Sequence, residues 1–591
     1  MRPSSTRVAA ALAVLATVAL IAVASGVAVP LLPADDSPDR SDRPDDPTTE
    51  GTVGYVEGYW YDDDLPVDDR DDAVVEDDDL RAVVYRSMAR VEKIRGLTFE
   101  DDVPVDVISR EEFQSSDGAF VDVNESQERV QNVTYEALFM VDTESNATAE
   151  LESMYGGSVE GYYEPSTGRI VIVSDTPERP ELNEIVLGHE LTHALQDQQF
   201  NLSNYDRATI DQEAAENGLI EGDAVSVETE YERRCGDDWS CLPDDESAGA
   251  TPSNWGIYLT LYQPYDDGPA YVDHLRESGD GWAAVNERYD DPPASSSTVI
   301  HREDRDPVDV TVEDRSNASW RPLEVGDRVA TETVGEAAMV AMFADGAFES
   351  TRSSVLERGD VIGDDPTTFD YDQPSTAGWV GDELVAYTGS SADGNATAAE
   401  TGYVWETEWR SADDAREFAG AYLELLEIHG ADPVEDRRDT YAIDDEDYPG
   451  AYSLERDGET VRIVHAPSVD GLEGISATAA PEGGDTVEPV AVGDSAEGED
   501  EGADGDGEAN GDGDEDDSLP GFAVPGTGAA VAIALLAARA RARRIGAGRG
   551  DGSDSSAGTG PVTADSPRSA PSGPDAGLEG SDGGRSDRGR L

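Results

Sequence analysis

Residues 188–194 read G-H-E-L-T-H-A and lie within a run of mostly apolar side chains. His189 and His193 are four positions apart, so on an α-helix their imidazoles lie on one face, one turn apart. Two neutral imidazole nitrogens at this separation can bind one tetrahedral Zn²⁺. Glu190 is one step round the helix, where its carboxylate could take a proton from a water molecule that the ion activates. The stretch therefore predicts two metal ligands and a general base for hydrolysis.

The surroundings make this motif more specific than an isolated H-E-x-x-H. The chain has only 6 histidines, so a pair at helical spacing is unlikely to arise by accident. Residues 183–199 have the apolar spacing of a helix packed into a core, with Asn183 as the candidate N-cap and Gly188 as the one glycine. Glu190 is the only charged residue between or directly beside the two histidines. The alternative is a buried helix whose histidines only form hydrogen bonds.

A catalytic zinc site needs a third protein ligand and one open position. Residues 210–230, rich in Ala and Glu, predict the next helix and contain L-I-E-G-D-A at 219–224. Glu221 is the preferred third ligand because Gly222 and Ala224 leave room for close approach to the motif helix.

Three other acidic residues of this helix lie near Glu221 in sequence. Glu213 and Glu216 are rival ligands, and Asp223 is not favoured because it points away from Glu221 on a regular helix. In so acidic a chain, each of these glutamates could instead lie on a solvated helix face.

The composition indicates a halophilic protein. The chain has 591 residues, with 130 acidic and 41 basic side chains, a net charge of −89, and Lys93 as its only lysine. Such a charge makes a compact state repel itself in dilute buffer, whereas at molar salt the screening length falls to about 3 Å. Nucleic acid is excluded as a partner because binding it needs basic patches.

The N-terminus predicts export. Arg2 and Arg7 precede an uncharged stretch over 8–33, which is typical of a signal peptide or an uncleaved signal anchor. In an oxidising exterior, Cys235 and Cys241 could close a short disulfide loop, and the alternative is a metal-binding pair. Export also makes N-glycosylation plausible at six sequons, which lie at Asn124, Asn132, Asn146, Asn201, Asn317 and Asn395.

The C-terminal region combines a solvated spacer with an apolar segment. Residues 495–518 are almost entirely Asp, Glu and Gly, and an uncharged run after Leu519-Pro520-Gly521-Phe522 is long enough to span a bilayer. An arginine cluster over 539–544 follows, and the whole resembles the PGF-type sorting signal of archaeal surface proteins, which implies cleavage by an archaeosortase. The Ser/Gly/Asp tail over 545–591 departs from that signal, so an ordinary transmembrane anchor is the alternative.

Four stretches carry a resemblance to a group of prokaryotic zincin-like proteins, of which haloarchaeal surface members are the most similar. These are H-E-L-T-H-A-L-Q-D-Q-Q-F (189–200), L-I-E-G-D-A (219–224), D-P-P-A-S-S-S-T-V-I-H (291–301) and T-A-G-W-V-G-D (376–382). The resemblance spans roughly 80–476 and implies an α+β, gluzincin-like metallopeptidase fold.

The resemblance also implies roles for single residues. His189 and His193 would be zinc ligands, Glu190 the general base, and Glu221 the third ligand, because gluzincins take a glutamate from a downstream helix. The acidic residue that commonly follows that ligand by four positions is Val225 here.

Supporting residues are expected around the metal. Many gluzincins stabilise the oxyanion with a later His or Tyr, for which His301 is the candidate and Tyr265 the second choice. The alternative for His301 is a capping or packing role. Asp197 and Asn217 are candidates for orienting the ligand imidazoles. The strand predicted at 168–174 could be the sheet edge that holds extended substrate.

Together these observations predict a membrane-anchored, cell-surface zinc metallopeptidase that acts on peptide or protein substrates. The alternatives are a non-catalytic surface-binding or envelope protein on the same fold and a membrane quality-control protease, which the long spacer disfavours. The expected divisions are a signal segment (1–34), an acidic flexible linker (35–79), a zincin-like domain (80–345), a smaller C-terminal α+β unit (346–485), an acidic spacer (486–518), a membrane or sorting segment (519–544) and a disordered tail (545–591).

Overall fold

The computed structural model describes residues 43–115, 124–205, 207–243, 252–363, 368–389, 400–444 and 447–489. The predicted signal segment, nearly all of the acidic spacer, the sorting segment, the tail and the sequon at Asn395 lie outside these ranges. Within them, no helix has the length and apolar character needed to cross a bilayer. The described part is a mixed α+β structure, which confirms the predicted class.

The N-terminal half carries most of the helices. In chain order its elements are β1 (Tyr55–Val56), β2 (Tyr59–Trp60), α1 (Asp77–Arg95), β3 (Val105–Ser109), α2 (Arg110–Ser115), α3 (Glu125–Ala137), α4 (Ala147–Ser158), β4 (Gly161–Glu164), β5 (Arg169–Ser174), α5 (Glu184–Phe200), α6 (Ile210–Arg234), α7 (Trp255–Ser278), α8 (Trp282–Arg288) and α9 (Ser296–His301).

The C-terminal half carries most of the strands. Its elements are β6 (Trp320–Pro322), β7 (Glu324–Val325), β8 (Arg328–Val329), β9 (Thr331–Glu332), α10 (Gly335–Ala344), α11 (Arg358–Val361), β10 (Trp379–Gly389), β11 (Thr401–Trp409), α12 (Ala412–Ile428), β12 (Asp432–Pro433), β13 (Thr440–Ile443), β14 (Gly450–Asp457), β15 (Thr460–Ala466) and α13 (Val469–Ile475).

A three-stranded sheet lies beside the motif helix α5, with the strand order β3-β5-β4. β5 pairs parallel with β3 and antiparallel with β4, so the strand predicted at 168–174 is central rather than an edge. Five consecutive residues of β5 are buried, so both faces of this strand are covered, which suits its nearly continuous apolar sequence. The edge next to α5 is β4, which corrects the expectation.

Residues 43–76 correct the prediction of a flexible linker for the described part of 35–79. Val56, Tyr61 and Val67 are buried in one core cluster with α1, α5 and α6. Two aspartates in this segment stabilise turns, since Asp63 and Asp68 accept hydrogen bonds from backbone N–H groups three residues before them. The acidic composition therefore reflects turn formation and solvation here, and sparse apolar residues are enough to fix the segment.

Glycines set the spacing of the long helices. Gly222 of α6 lies against Gly268 of α7, where an added Cβ would be 2.3 Å from the Gly268 carbonyl. Gly188 of α5 faces the ring of Tyr231 on α6, 3.1 Å from an added Cβ. Gly222 thus allows close approach to α7 and not, as expected from the sequence, to the motif helix. Just after α6, Cys235 and Cys241 form a disulfide, which confirms the predicted short loop.

The C-terminal sheet has eight strands, in the order β12-β13-β14-β15-β11-β10-β6, with β9 also pairing with β10. β6 and β9 come from before the predicted boundary at 345/346, and Phe343 of α10 packs 5.8 Å from Phe418 of α12 across it. One hydrophobic core joins both sides, so the boundary does not separate two cores. Asp382 accepts the N–H groups of Val334 and Gly335 at the start of α10.

Candidate metal centre

The motif residues lie in the buried part of a regular helix. Asn183 caps α5 by accepting the N–H groups of Ile185 and Val186, as the sequence predicts. His189 is 1% exposed, and Glu190 and His193 are 0% exposed. The apolar flanks of the motif therefore bury all three polar side chains together.

Glu221 approaches both histidines from α6. One of its carboxylate oxygens, Oε2, lies 3.3 Å from His189 Nε2 and 3.4 Å from His193 Nε2, and the side chain is fully buried. The three residues form a group whose ligand atoms lie within 4.8 Å of one another. The structure thus brings the three predicted ligands together, and they could hold a metal ion.

Five buried polar atoms of this group and of Glu190 form no hydrogen bond, although Glu221 Oε2 is within ion-pair distance of both imidazoles. They are His189 Nε2, His193 Nε2, both carboxylate oxygens of Glu221, and Glu190 Oε1. Buried polar atoms without a hydrogen-bond partner are rare because each costs about 1–3 kcal/mol. A metal ion together with one water molecule would satisfy this set, so the residues present fit such a group.

A second layer of side chains holds the outer nitrogens of the imidazoles. His189 Nδ1 lies 2.8 Å from Glu228 Oε2, and His193 Nδ1 lies 2.8 Å from Gln196 Oε1. Gln196 is itself fixed, because its Nε2 donates to the Ile220 carbonyl. Sequence reasoning missed both residues, although Glu228 lies on the Glu221 face two turns later and Gln196 follows His193 by three positions.

The two residues that the sequence predicts to orient the imidazoles form other hydrogen bonds. Asp197 accepts the hydroxyl of Tyr163 and the N–H of Leu202, which fixes the end of α5. Asn217 accepts a hydrogen bond from Arg207. Their hydrogen-bond partners therefore lie away from the imidazoles, although Asp197 is one turn after His193 and Asn217 one turn before Glu221.

Glu190 is tied to the edge strand through one oxygen only. Its Oε2 accepts the N–H of Tyr163 in β4 at 2.8 Å, while Oε1 has no protein partner. Burial raises the pKa of Glu190, and the neighbouring His193 and His189 oppose that rise. One oxygen is therefore fixed and the other is left available beside the ligand group.

The electrostatics of the group favour a cation. Although burial opposes ionisation, the adjacent His193 and His189 hold the pKa of Glu221 down at about 2. Burial also disfavours charge on His189, yet the carboxylates of Glu221 and Glu228 raise its pKa well above its ordinary value. An environment that stabilises positive charge on imidazole is one that will also attract a metal cation.

His301 lies outside this group. Its Nε2 is 2.9 Å from Glu336 Oε1 and its Nδ1 is 3.7 Å from Asp372. Tyr265 lines a small cavity with Glu213 and other residues of α6 and α7. The contacts of His301 thus favour the packing role over contact with a reacting group.

The rival acidic residues also stay outside. Glu216 accepts hydrogen bonds from Gln212 and the Arg207 N–H. Asp223 contacts Arg95 and Tyr289, so it points away from the motif helix as predicted.

Of the five described sequons, Asn124, Asn201 and Asn317 are exposed, and the other two, at 132 and 146, are half-buried.

Comparison with known proteins reaches only the C-terminal half. No curated protein and no solved structure matches the chain. Residues 321–476, which run from β6 to α13, match the family model of a domain of unknown function, DUF8575. The metal-binding candidates lie before the matched residues.

Proposed function

We propose that this protein is a zinc-dependent metallopeptidase on a zincin-like fold, in which His189, His193 and Glu221 hold the metal. The observation that carries this proposal is the set of buried polar atoms without a hydrogen bond on these three residues and on Glu190. Three protein ligands with a carboxylate beside the remaining position are typical of a catalytic rather than a structural zinc site.

The choice of zinc rests on ligand type and spacing. Calcium and magnesium prefer all-oxygen ligand sets, whereas two imidazoles and one carboxylate suit zinc. Tetrahedral zinc with bonds of about 2.0–2.2 Å requires ligand atoms about 3.3–3.5 Å apart. The two N–O separations to Glu221 are 3.3 and 3.4 Å.

Bound zinc supplies Lewis acidity, which polarises a carbonyl and makes water a stronger acid. Glu190 would serve as the general base through Oε1, since Tyr163 holds its other oxygen. The same carboxylate would then pass the proton to the leaving amine. An extended peptide would pair with edge strand β4, where Glu190 already accepts the N–H of Tyr163. Because the four side chains are completely buried, the substrate would enter only after local opening.

A cell-surface location is part of the proposal. It is supported by the basic and apolar N-terminus, the C-terminal apolar segment and the sequons. The Cys235–Cys241 disulfide is consistent with an oxidising exterior. Archaeosortase processing, glycosylation and membrane anchorage remain proposals on the same basis.

The test is a peptide-library digest in molar salt with wild-type protein and the Glu190→Gln variant. We expect both to bind one zinc, and the variant to lose at least about 10²-fold in hydrolysis because its base is gone. Glu230→Gln, a change at a half-buried position of α6 outside the metal-binding candidates, is the matched control. Undiminished hydrolysis by Glu190→Gln, or by wild-type protein stripped of metal, contradicts the proposal.

The second candidate function is a surface-binding protein with a structural metal. The burial of all four side chains and the Glu190–Tyr163 hydrogen bond favour it. This candidate predicts stoichiometric zinc with no cleavage of any peptide and no binding of a hydroxamate, which needs an open coordination position. The peptidase predicts the opposite on both measurements.

A further inference from the structure

One imidazole of the cluster lies between two carboxylates of the same helix. Glu221 and Glu228 are seven residues apart on α6, and at about 100° per residue they point within about 20° of each other. Glu221 Oε2 is 3.3 Å from His189 Nε2, and Glu228 Oε2 is 2.8 Å from His189 Nδ1. The two nitrogens of one ring are thus contacted by carboxylates two turns apart on one helix.

With a metal ion at Nε2, the proton of a neutral His189 ring would have to lie on Nδ1. That nitrogen would donate to Glu228 and leave the Nε2 lone pair directed at the ligand group. His193 is oriented in the same sense, but its Nδ1 partner is the neutral amide of Gln196. A hydrogen bond to a carboxylate is stronger than one to an amide and makes the ring a better metal ligand.

We infer that Glu228 is the positioning residue of this metal site, acting through His189 rather than on the reacting atoms. The inference rests on the metal site proposed above. The carboxylate that orients the first histidine comes from the same helix face as Glu221, two turns later.

Glu228 differs from the cluster in its exposure. Its side chain is 23% exposed, whereas His189 and Glu221 are 1% and 0% exposed. Its removal therefore leaves a solvated position instead of a buried void or an unpaired buried charge. A change at Glu228 should act on metal affinity far more than on folding.

The test measures zinc affinity by competition with a chromophoric chelator in molar salt, and the visible spectrum of the Co²⁺-substituted protein. Glu228→Gln keeps the size of the side chain and removes its charge, and we expect it to bind zinc about 10–100-fold more weakly, with an altered Co²⁺ spectrum. Glu230→Gln, two residues away and paired with Arg233 and Arg234, should bind within threefold of wild type.

Thermal unfolding of the metal-free proteins controls for a loss of fold. The double variant Val225→Asp/Glu228→Gln returns a carboxylate to the same helix face one turn earlier, and we expect it to recover affinity. Glu228→Gln that binds zinc within threefold of wild type with an unchanged Co²⁺ spectrum overturns the inference. So does a folded double variant that binds no better than the single variant. Wild-type protein that binds no zinc would instead refute the proposed function.

Discussion

The contact between Gly222 and Gly268 makes a substitution at Gly222 a sharp test of the helix packing behind the metal centre. In Gly222→Ala, the new Cβ would lie 2.3 Å from both the carbonyl carbon and the carbonyl oxygen of Gly268, and 2.8 Å from its Cα. All three atoms belong to the backbone, so no side-chain rotation can relieve the overlap. The two helices must move apart.

The size of the effect follows from these distances. Ordinary van der Waals contact begins at 3.4 Å, so α6 and α7 must separate by 3.4 − 2.3 = 1.1 Å. Overpacking costs about 1–3 kcal/mol, and a clash between backbones belongs at the upper end. Alanine returns about 1 kcal/mol of helix propensity, which leaves a net loss of about 2 kcal/mol in the free energy of unfolding. Because Glu221 is the preceding residue, the same shift should weaken zinc binding.

The assay is denaturant unfolding of the metal-free protein in molar salt, followed by zinc competition. Gly359→Ala is the matched control, since Gly359 is an exposed helical glycine whose added Cβ meets nothing within 4 Å. We expect the control to be neutral or slightly stabilised. If Gly222→Ala unfolds at the wild-type denaturant concentration and binds zinc normally, the helices do not pack as described.

Two further predictions concern buried titratable groups. Burial lowers the pKa of His465 from 6.5 to about 4, although a hydrogen bond with the backbone of Pro449 opposes this shift. Between these two pH values the unfolded chain therefore binds a proton that the folded chain does not. The free energy of unfolding should thus fall by about 3 kcal/mol more in wild type than in His465→Gln between pH 6.5 and 4, and parallel curves would contradict this. Glu184→Gln leaves Arg90 buried without a counter-charge, while Arg86 keeps Asp68. The change should cost about 3–5 kcal/mol in denaturant unfolding, whereas a loss below 1 kcal/mol would argue against the Arg90–Glu184 ion pair.

The ligand set could be predicted from sequence because its geometry is mostly local. His189 and His193 are placed by helix periodicity alone, and Glu221 needs only a return helix. The reason given for Glu221 was nevertheless wrong, since Gly222 serves α7. Which helix a glycine faces depends on tertiary packing, and spacing along one helix does not encode it.

The orienting residues show the same limit. Glu228 was within reach of sequence reasoning, because a seven-residue interval keeps two side chains on one helix face. The contacts of His301 with Glu336 and Asp372 were not, since they join segments 35 and 71 residues distant in sequence. The folding of 43–76 was hidden by its acidic composition, which predicts solvation and carries no information about the few apolar residues that anchor it.

Basic residues are rare in this chain, yet three arginines of α1 form buried ion pairs. Arg86 and Arg90 bind Glu184 at the start of the motif helix, and Arg95 binds Asp223 two residues after Glu221. One helix therefore holds, through buried guanidinium groups, both helices that carry the candidate metal ligands.

At molar salt, surface ion pairs in this chain would be screened, whereas buried pairs would be screened far less. A buried pair gives little net stability against an apolar replacement, but it penalises any register that leaves a charge unpaired. The arginines of α1 thus fix the relative position of α5 and α6, on which the 3.3 and 3.4 Å separations of the metal centre depend.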